Sequence, residues 1–359
     1  MKLLDRYIIK KYLGTFVFML SLLTSIAIVI DITEKIDEFI ASELSVWTIV
    51  SQYYIHFIPW IVMMLAPIFV FISVVYFTSK LTSDSEVIAI LAGRVSFYRL
   101  LYPYLLTASM LAGLFYMTNH YWLPNSNKKL FDFTNEYTSG SVEKSKENVH
   151  FQYKKDTLIY AQSWNDLDKS GYKFTLEVFE GRMMIYKLSA DKIFWDTLKN
   201  NWRVESFVER KVINEQEDEI KDEDTKNFNW GFKPMDFLVQ INIKESMTTP
   251  ELEKFIKEQN AKGAENLQFY EIEKYKRTAV PVSTIILTII AFAMTTKKRR
   301  NGMGIYIVAG LAISGIYIMI QQFSAVFSTK GNLEPIWGAW IPNIFFAVLA
   351  IILIWRSPK

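Results

Sequence analysis

The sequence predicts a helical membrane protein of six transmembrane helices, arranged three and three, with an all-β domain inserted at its middle. Three observations predict this. First, windows 13–30, 57–79, 100–118, 279–296, 303–328 and 336–355 contain no charged residue, although 21% of the chain is charged. Second, each window is long enough to cross a hydrocarbon layer of about 30 Å as a helix. A Lys, Arg or Asp at the middle of such a helix costs roughly 2.5–3.5 kcal/mol on insertion, so six uncharged windows are a strong pattern. Third, residues 122–277, between the third and fourth windows, are polar and rich in β-branched and aromatic runs. The mean hydropathy of +0.13 averages two unlike populations and is not a soluble value. We divide the chain into an N-terminal half (1–121), the β-insert (122–248), connecting helices (249–277) and a C-terminal half (278–359).

The first window is preceded by Asp5, Arg6, Lys10 and Lys11, with no small-residue cleavage site after it. It therefore reads as a retained span rather than a signal peptide. Charges in the short loops orient the spans. One set of segments holds Lys2, Arg6, Lys10, Lys11, Lys80, Arg94, Arg99, Lys297, Lys298, Arg299, Arg300, Arg356 and Lys359 against Asp5, Asp84 and Glu86. The opposite loops hold only Lys35 and Lys330 against Asp31, Glu34, Asp37, Glu38, Glu43 and Glu334. Both termini are expected in the cytoplasm, with 297–300 a cytoplasmic stop and the insert on the far side. The insert is nearly neutral, and long domains cross with little regard to charge.

Within the insert, 149–160, 175–186 and 202–213 read as strands, with turns at Glu180-Gly181 and Asn200-Asn201. Residues 192–195 should pair with 202–208 across the second turn. The stretch 215–226 is almost wholly polar and reads as an exposed loop, and the β-region is expected to end near Ile243. Thr249 should cap a short helix over 251–259, with Pro250 in its first turn. A second helix, 265–276, should run into the fourth span. Uncovered strand edges would invite pairing with another β-protein; a folded domain with covered edges is the other reading.

Catalytic motifs are missing from the sequence. It has no phosphate-binding G-x-x-x-x-G-K-[ST], no H-E-x-x-H and no G-x-S-x-G. The histidines, His56, His120 and His150, lack metal-ligand spacing. His56 and His120 sit near span ends, where interfacial polar groups are common. There is no cysteine, so no disulfide framework. The basic residues lie in loops between spans, which is not a nucleic-acid signature. Proton- and ion-coupled transporters generally carry buried carboxylates or broken helices at mid-membrane. These spans offer mainly Ser, Thr, Gln, Tyr and proline kinks such as Pro59, Pro67 and Pro342. A membrane chain without an energy source suggests a permease driven by a separate ATPase. The candidate docking element is 82–99, where Ser83 or Asp84 can cap, Glu86 lies in the first turn, and Gly93 can terminate. Val87, Ile88 and Leu91 form an apolar stripe at helical spacing. The same short amphipathic helix would also suit a membrane surface.

Four segments carry a family resemblance. They are Asp5-Arg6-Tyr7-Ile8, Ser83-Asp84-Ser85-Glu86-Val87-Ile88-Ala89 with Ala92-Gly93, Lys276-Arg277-Thr278-Ala279-Val280-Pro281, and Gly338-Ala339-Trp340-Ile341-Pro342-Asn343. With the three-plus-three layout, the chain resembles the LptF/LptG (YjgP/YjgQ) permeases of the lipopolysaccharide exporter. Its acidic loop after span one is more LptG-like. The family's A-A-G-I/V-S is here Leu91-Ala92-Gly93-Arg94-Val95-Ser96, with one residue added after the glycine.

The resemblance implies a non-catalytic inner-membrane subunit paired with a second permease of the family. A cytoplasmic ATPase dimer would supply ATP and Mg, leaving no cofactor or metal in this chain. The insert would be a periplasmic jellyroll-like domain passing lipopolysaccharide to a bridge protein of the same fold. Segment 84–93 would couple to the ATPase through Asp84, Glu86, Val87, Ile88, Leu91 and Gly93. Spans one and five would line a lateral entrance from the membrane lipids. Lys35 would meet lipid phosphate, as lysines at that span end do in the family. Tyr317, Gln321 and Gln322 are further candidate lipid contacts, though single residues of these types more often pack or anchor at the interface. Equally, Lys35 could pair with an acidic neighbour. Two other classes stay open: a membrane-anchored envelope interaction protein without transport activity, and an ion-coupled lipid transporter.

Overall fold

The computed structural model describes residues 2–138, 145–154, 156–165, 168–181, 183–197, 199–214, 217–237, 243–261, 267–296 and 302–356. Among the described residues six helices are long and apolar enough to cross a membrane: Leu3–Ala41, Val46–Ser83, Phe97–Phe133, Gln268–Thr295, Gly304–Lys330 and Pro335–Trp355. They are spans one to six below. The 297–300 basic run lies outside the described residues.

Two compact units emerge. One is the helical bundle with the short segment Lys244–Leu252. Span one is 39 residues, or about 58 Å at 1.5 Å per residue, so it outruns its apolar window at both ends. Its start is fixed by the Asp5 carboxylate, which accepts from the Lys2 amide at 2.9 Å. Span two forms the centre, with Phe69, Val70, Phe71, Val74 and Val75 all buried. Aromatic rings lock it to its neighbours: Phe77 stacks on Tyr104 at 5.2 Å, and Tyr104 meets Phe292 at 4.6 Å. Several polar side chains inside the bundle are paired, as a low-dielectric interior favours. Tyr12 shares a hydrogen bond with Thr288 at 2.8 Å, and Thr82 donates to the Thr295 carbonyl at 2.9 Å. Two π-helical turns interrupt spans two and three, at Ile49–Tyr54 and Thr118–Trp122. Such turns re-aim side chains without ending a helix.

The other unit carries the β-insert. Its six strands are β1 (Ser145–Lys154), β2 (Thr157–Asn165), β3 (Ser170–Glu180), β4 (Met183–Asp196), β5 (Asn201–Asn214) and β6 (Glu217–Phe228). They form one antiparallel sheet in chain order, an up-and-down meander with β1 and β6 at its edges. The expected turns are in place: Glu180 pairs with Met183 around Gly181, and Trp195 pairs with Trp202 around Asn200. Gly181 and Asn200 have φ of 64° and 49°, conformations that glycine and asparagine tolerate best.

Several expectations are corrected here. The 175–186 run is divided at Gly181 between the end of β3 and the start of β4. The 149–160 run is not one strand, because the chain reverses between Lys154 and Thr157. The polar stretch 215–226 is not a loop, since Glu217–Phe228 is the edge strand β6. Backbone pairing to β5 is indifferent to side-chain polarity, and charges on an edge discourage further pairing. The last described strand ends at Phe228, ahead of the expected Ile243, which instead opens a short helix to Ser246.

A crease explains why the strands alternate imperfectly. Regular pairing skips Asn148/Gln162, Gln162/Lys173, Lys173/Asp191, Asp191/Ser206 and Ser206/Asp224 in successive strand pairs. Along this line Lys173 and Ser206 take positive φ. The buried face changes parity across it, from Ile159 and Ala161 to Trp164, and from Val204 to Phe207. With regular pairing broken along this line, both halves of β2, β4 and β5 present apolar side chains to one core. The segment after β6 closes that core. Phe237 stacks on Trp164 at 4.3 Å, and Trp202 donates its indole N–H to the Phe232 carbonyl at 3.0 Å.

The helix after the insert is Thr249–Ala261, so Thr248 rather than Thr249 holds the cap position. The Glu251 carboxylate accepts from the Thr248 amide at 2.8 Å, one half of a capping box. That bond holds the Glu251 carboxyl below the usual carboxylate range.

Candidate functional site

Four sequence segments far apart in the chain meet as two pairs. The first pair joins the start of span one to the loop between spans two and three. Asp5 and Arg99 form a two-pronged ion pair, at 2.7 and 2.8 Å. Two residues on, the Tyr7 hydroxyl donates to the Glu86 carboxylate at 2.8 Å. The 2.8 Å contact between Arg99 and Asp5 is a charge-assisted hydrogen bond, among the stronger protein contacts, and the 2.7 Å approach adds charge attraction.

Glu86 begins the loop helix Glu86–Ala92, seven residues long. A helix this short is not stable by itself, so its neighbours hold it. Val87 is buried, while Ile90 and Leu91 pack against the bundle core. Ile88, expected in the same stripe, points outward and is 45% exposed, with Ala89 and Ala92 beside it. The stripe is therefore Val87, Ile90 and Leu91, and Ile88 belongs to a separate exposed face. Asp84 ends span two, and the cap position falls on Ser85 rather than Ser83 or Asp84, with φ of 62°. At the other end Gly93 follows the last helical turn with an ordinary φ of −73°, and the left-handed residue is Arg94, at 63°. The added residue thus takes the chain reversal that a glycine would ordinarily adopt.

The second pair joins the entry of span four to span six. Asn343 is buried, its amide donates to the Ala279 carbonyl at 2.7 Å, and its carbonyl accepts from the Tyr317 hydroxyl at 3.0 Å. One side chain therefore ties spans four, five and six. Gly338 lies one turn away, and a Cβ there would stand 2.6 Å from the Ser328 Cβ. Tyr317 is wholly buried in this node. Gln321 is half-buried and Gln322 is exposed further along the same helix.

Lys35 lies near the opposite end of span one from Tyr7. Its ammonium donates to Asp31, one turn earlier, at 2.8 Å, and to the Tyr53 hydroxyl. Asp31 is buried and also accepts from Tyr53 at 3.0 Å and Tyr54 at 3.1 Å. The partner is Asp31 rather than the flanking Glu34, Asp37 or Glu38, which are exposed. The π-helical turn in span two brings Tyr53 and Tyr54 to this carboxylate together.

At the same end, Lys244–Leu252 is pinned to the bundle. Arg277, 4% exposed, donates to the Lys244 carbonyl at 2.8 Å and to the Thr249 hydroxyl at 3.2 Å. His120 Nδ1 shares a 2.9 Å hydrogen bond with Thr249, and Asn127 donates to the Glu245 carbonyl at 3.1 Å. Burial, with Glu273 nearby, pushes the Glu245 carboxyl above its usual range. Among the described residues no group of three or more His, Asp or Glu side chains converges as a metal would require. His120 thus serves an anchoring contact.

Sequence reasoning named Tyr7, Arg277 and Asn343 only as letters in motifs, and it missed Tyr53, Tyr54 and the role of Asp31. Pairing between distant motif segments was the available signal for the first group. Nothing local marks the second, because a π-helical turn has no periodic signature.

A six-span helical bundle with an inserted antiparallel sheet, its distant motifs clasped in pairs, defines a multi-pass membrane protein of the permease class. The chain belongs to the LptF/LptG family: the family model described as "Lipopolysaccharide export system permease LptF/LptG" matches residues 6–356. That family model spans both types without separating them. A search among curated proteins gives no match. The chain is accordingly a permease of lipopolysaccharide export, a family of transporting rather than catalytic subunits that work in a complex with partner proteins.

Proposed function

We propose that this chain is one of two permeases in an ATP-driven exporter that lifts lipopolysaccharide out of the inner membrane. The ATP and Mg belong to a cytoplasmic ATPase dimer, and the β-insert passes the lipid to a periplasmic bridge protein of similar fold. Both termini are cytoplasmic on this reading, supported by the thirteen basic residues on their side against two in the opposite short loops.

The observation that carries the proposal is the loop helix Glu86–Ala92. Its inward face is packed on the bundle, and its outward face, Ile88, Ala89 and Ala92, is free of contacts that would explain an apolar side chain there. An exposed apolar face on a helix held in place suits insertion into a groove of a partner. Span exposure supports the membrane side of the reading. Only 11% of the apolar window of span one lies inside the bundle, and 28% of span five, against 61% for spans two and four. Spans one and five are thus the two with most surface left for lipid or a second permease. Gln322, and Lys35 when released from Asp31, are the polar groups proposed to meet the sugar or phosphate.

The test is co-purification in detergent. The wild-type chain should bring an ATPase and a second family permease with it. Glu86→Lys and Ile88→Asp should each lose the ATPase while keeping membrane insertion and the second permease. Undiminished ATPase recovery in both variants would remove the docking role.

A further inference from the structure

We infer that Tyr7, Asp5 and Arg99 are positioning residues that make the start of span one and the loop helix a single mechanical body. This inference rests on the coupling role proposed for the loop helix. A seven-residue helix has little stability of its own. It is flanked by left-handed residues, Ser85 and Arg94, so the chain turns sharply on both sides. Displacement at Ile88 is carried onward by the packed face, Val87, Ile90 and Leu91, into the bundle core, and by one side-chain hydrogen bond, from Tyr7 to Glu86, to span one.

The Tyr7 hydroxyl fixes the Glu86 carboxylate at the first residue of the helix. The Asp5–Arg99 fork joins span one to the first turn of span three, just beyond the loop helix. Asp5 is buried and its carboxylate also caps span one through Lys2. Removing the Arg99 charge therefore leaves the buried Asp5 carboxylate without its cation, while Arg99 itself is about one-third exposed and keeps access to water. Span one, in turn, is the span least enclosed by its own bundle. Force arriving at Glu86 is thus delivered to the helix with the greatest freedom to move against lipid.

The experiment uses the assembled exporter in vesicles containing lipopolysaccharide and reads lipid released per ATP hydrolysed. Tyr7→Phe should retain ATPase co-purification, and Arg99→Asp should lower release per ATP by about tenfold, the scale of a lost charge-assisted contact. Tyr7→Phe should lower the same ratio by roughly fivefold. Arg99→Lys, which keeps the charge facing Asp5 and the Asp5 cap on Lys2, should retain at least half of the wild-type ratio. Wild-type ratios in Tyr7→Phe and Arg99→Asp would overturn the inference, as would a well-assembled Arg99→Lys protein that falls as far as Arg99→Asp. Failure of the wild-type chain to recover any ATPase would instead overturn the coupling role, so the two failures are distinct.

Discussion

Asn343 donates to the carbonyl of Ala279 across 64 residues of sequence, at 2.7 Å, inside the apolar bundle. The contact joins the two motif segments of the C-terminal half and accounts for an amide in the middle of an otherwise apolar helix. Replacing it with leucine leaves the Tyr317 hydroxyl without its acceptor. Interhelical hydrogen bonds in membranes average about 0.6 kcal/mol, and a stranded buried group costs about 1–3 kcal/mol. We expect Asn343→Leu to lower the melting point in detergent, and the double variant with Tyr317→Phe to cost less than the two single effects combined. A thermal shift series on the four proteins checks this.

Gly338 is required for close approach rather than for its backbone angles. A methyl group there collides with Ser328, also packed under Ile272. Overpacking costs about 1–3 kcal/mol, so Gly338→Ala should destabilise spans five and six. Gly338→Ala combined with Ser328→Ala removes the hydroxyl but not the Cβ, and should recover only part of the loss.

Lys35 is held by Asp31 and Tyr53, so lipid phosphate must compete with a carboxylate for it. Lys35→Ala should weaken photocrosslinking to lipopolysaccharide at span one. Asp31→Asn, which removes the charge that holds the ammonium and keeps one of the two oxygens that accept from Tyr53 and Tyr54, should strengthen it several-fold. Equal crosslinking in all three proteins would leave Lys35 as a local ion pair.

The Glu245 carboxyl titrates above its usual range because burial disfavours the charge. The sign follows directly. An acid with a raised folded pKa is more readily charged in the unfolded chain, so folding stability from this group is full at low pH. It falls as pH rises from the unfolded toward the folded value. Glu245→Gln should therefore flatten that fall, with a melting point at pH 8 equal to or above the wild type. A wild-type pH profile in the variant would contradict it.

Trp202 sits at the centre of the insert's aromatic core, with its N–H on the Phe232 carbonyl. Trp202→Ala should cost about 3–5 kcal/mol, seen as early proteolysis of the insert in the full chain. Trp202→Phe, which keeps most of the packing, should cost about 1–3 kcal/mol through the unpaired carbonyl.

The spans were legible because exclusion of charge over some twenty residues has one physical reason, the cost of charge in hydrocarbon. The two hairpin turns at Gly181 and Asn200 were legible from residues that accept left-handed backbone. The register around the crease was not, since Gln162, Lys173 and Ser206 break the period of two without any local marker. β6 was misread because Glu217, Asp218 and Glu219 say nothing of the main-chain partners that β5 offers. Ile88 was misplaced for a related reason: helical spacing groups Val87, Ile88 and Leu91 but does not say which of them faces the bundle.

By itself, the sequence determined which parts of the chain can enter a membrane, their likeness to the LptF/LptG permeases, and the β-character of the insert. Composition and period decide these, and both are local. Only the tertiary structure decided that Tyr7 meets Glu86, Asp5 meets Arg99, Asn343 meets Ala279 and Lys35 is held by Asp31 and Tyr53. Asn343 and Asp31 are buried, where a polar side chain must find its partner within the protein, whereas Tyr7 and Glu86 meet at an exposed site because the packing places them there. Which partner a side chain finds depends on helix packing, a property of the whole bundle rather than of any one segment.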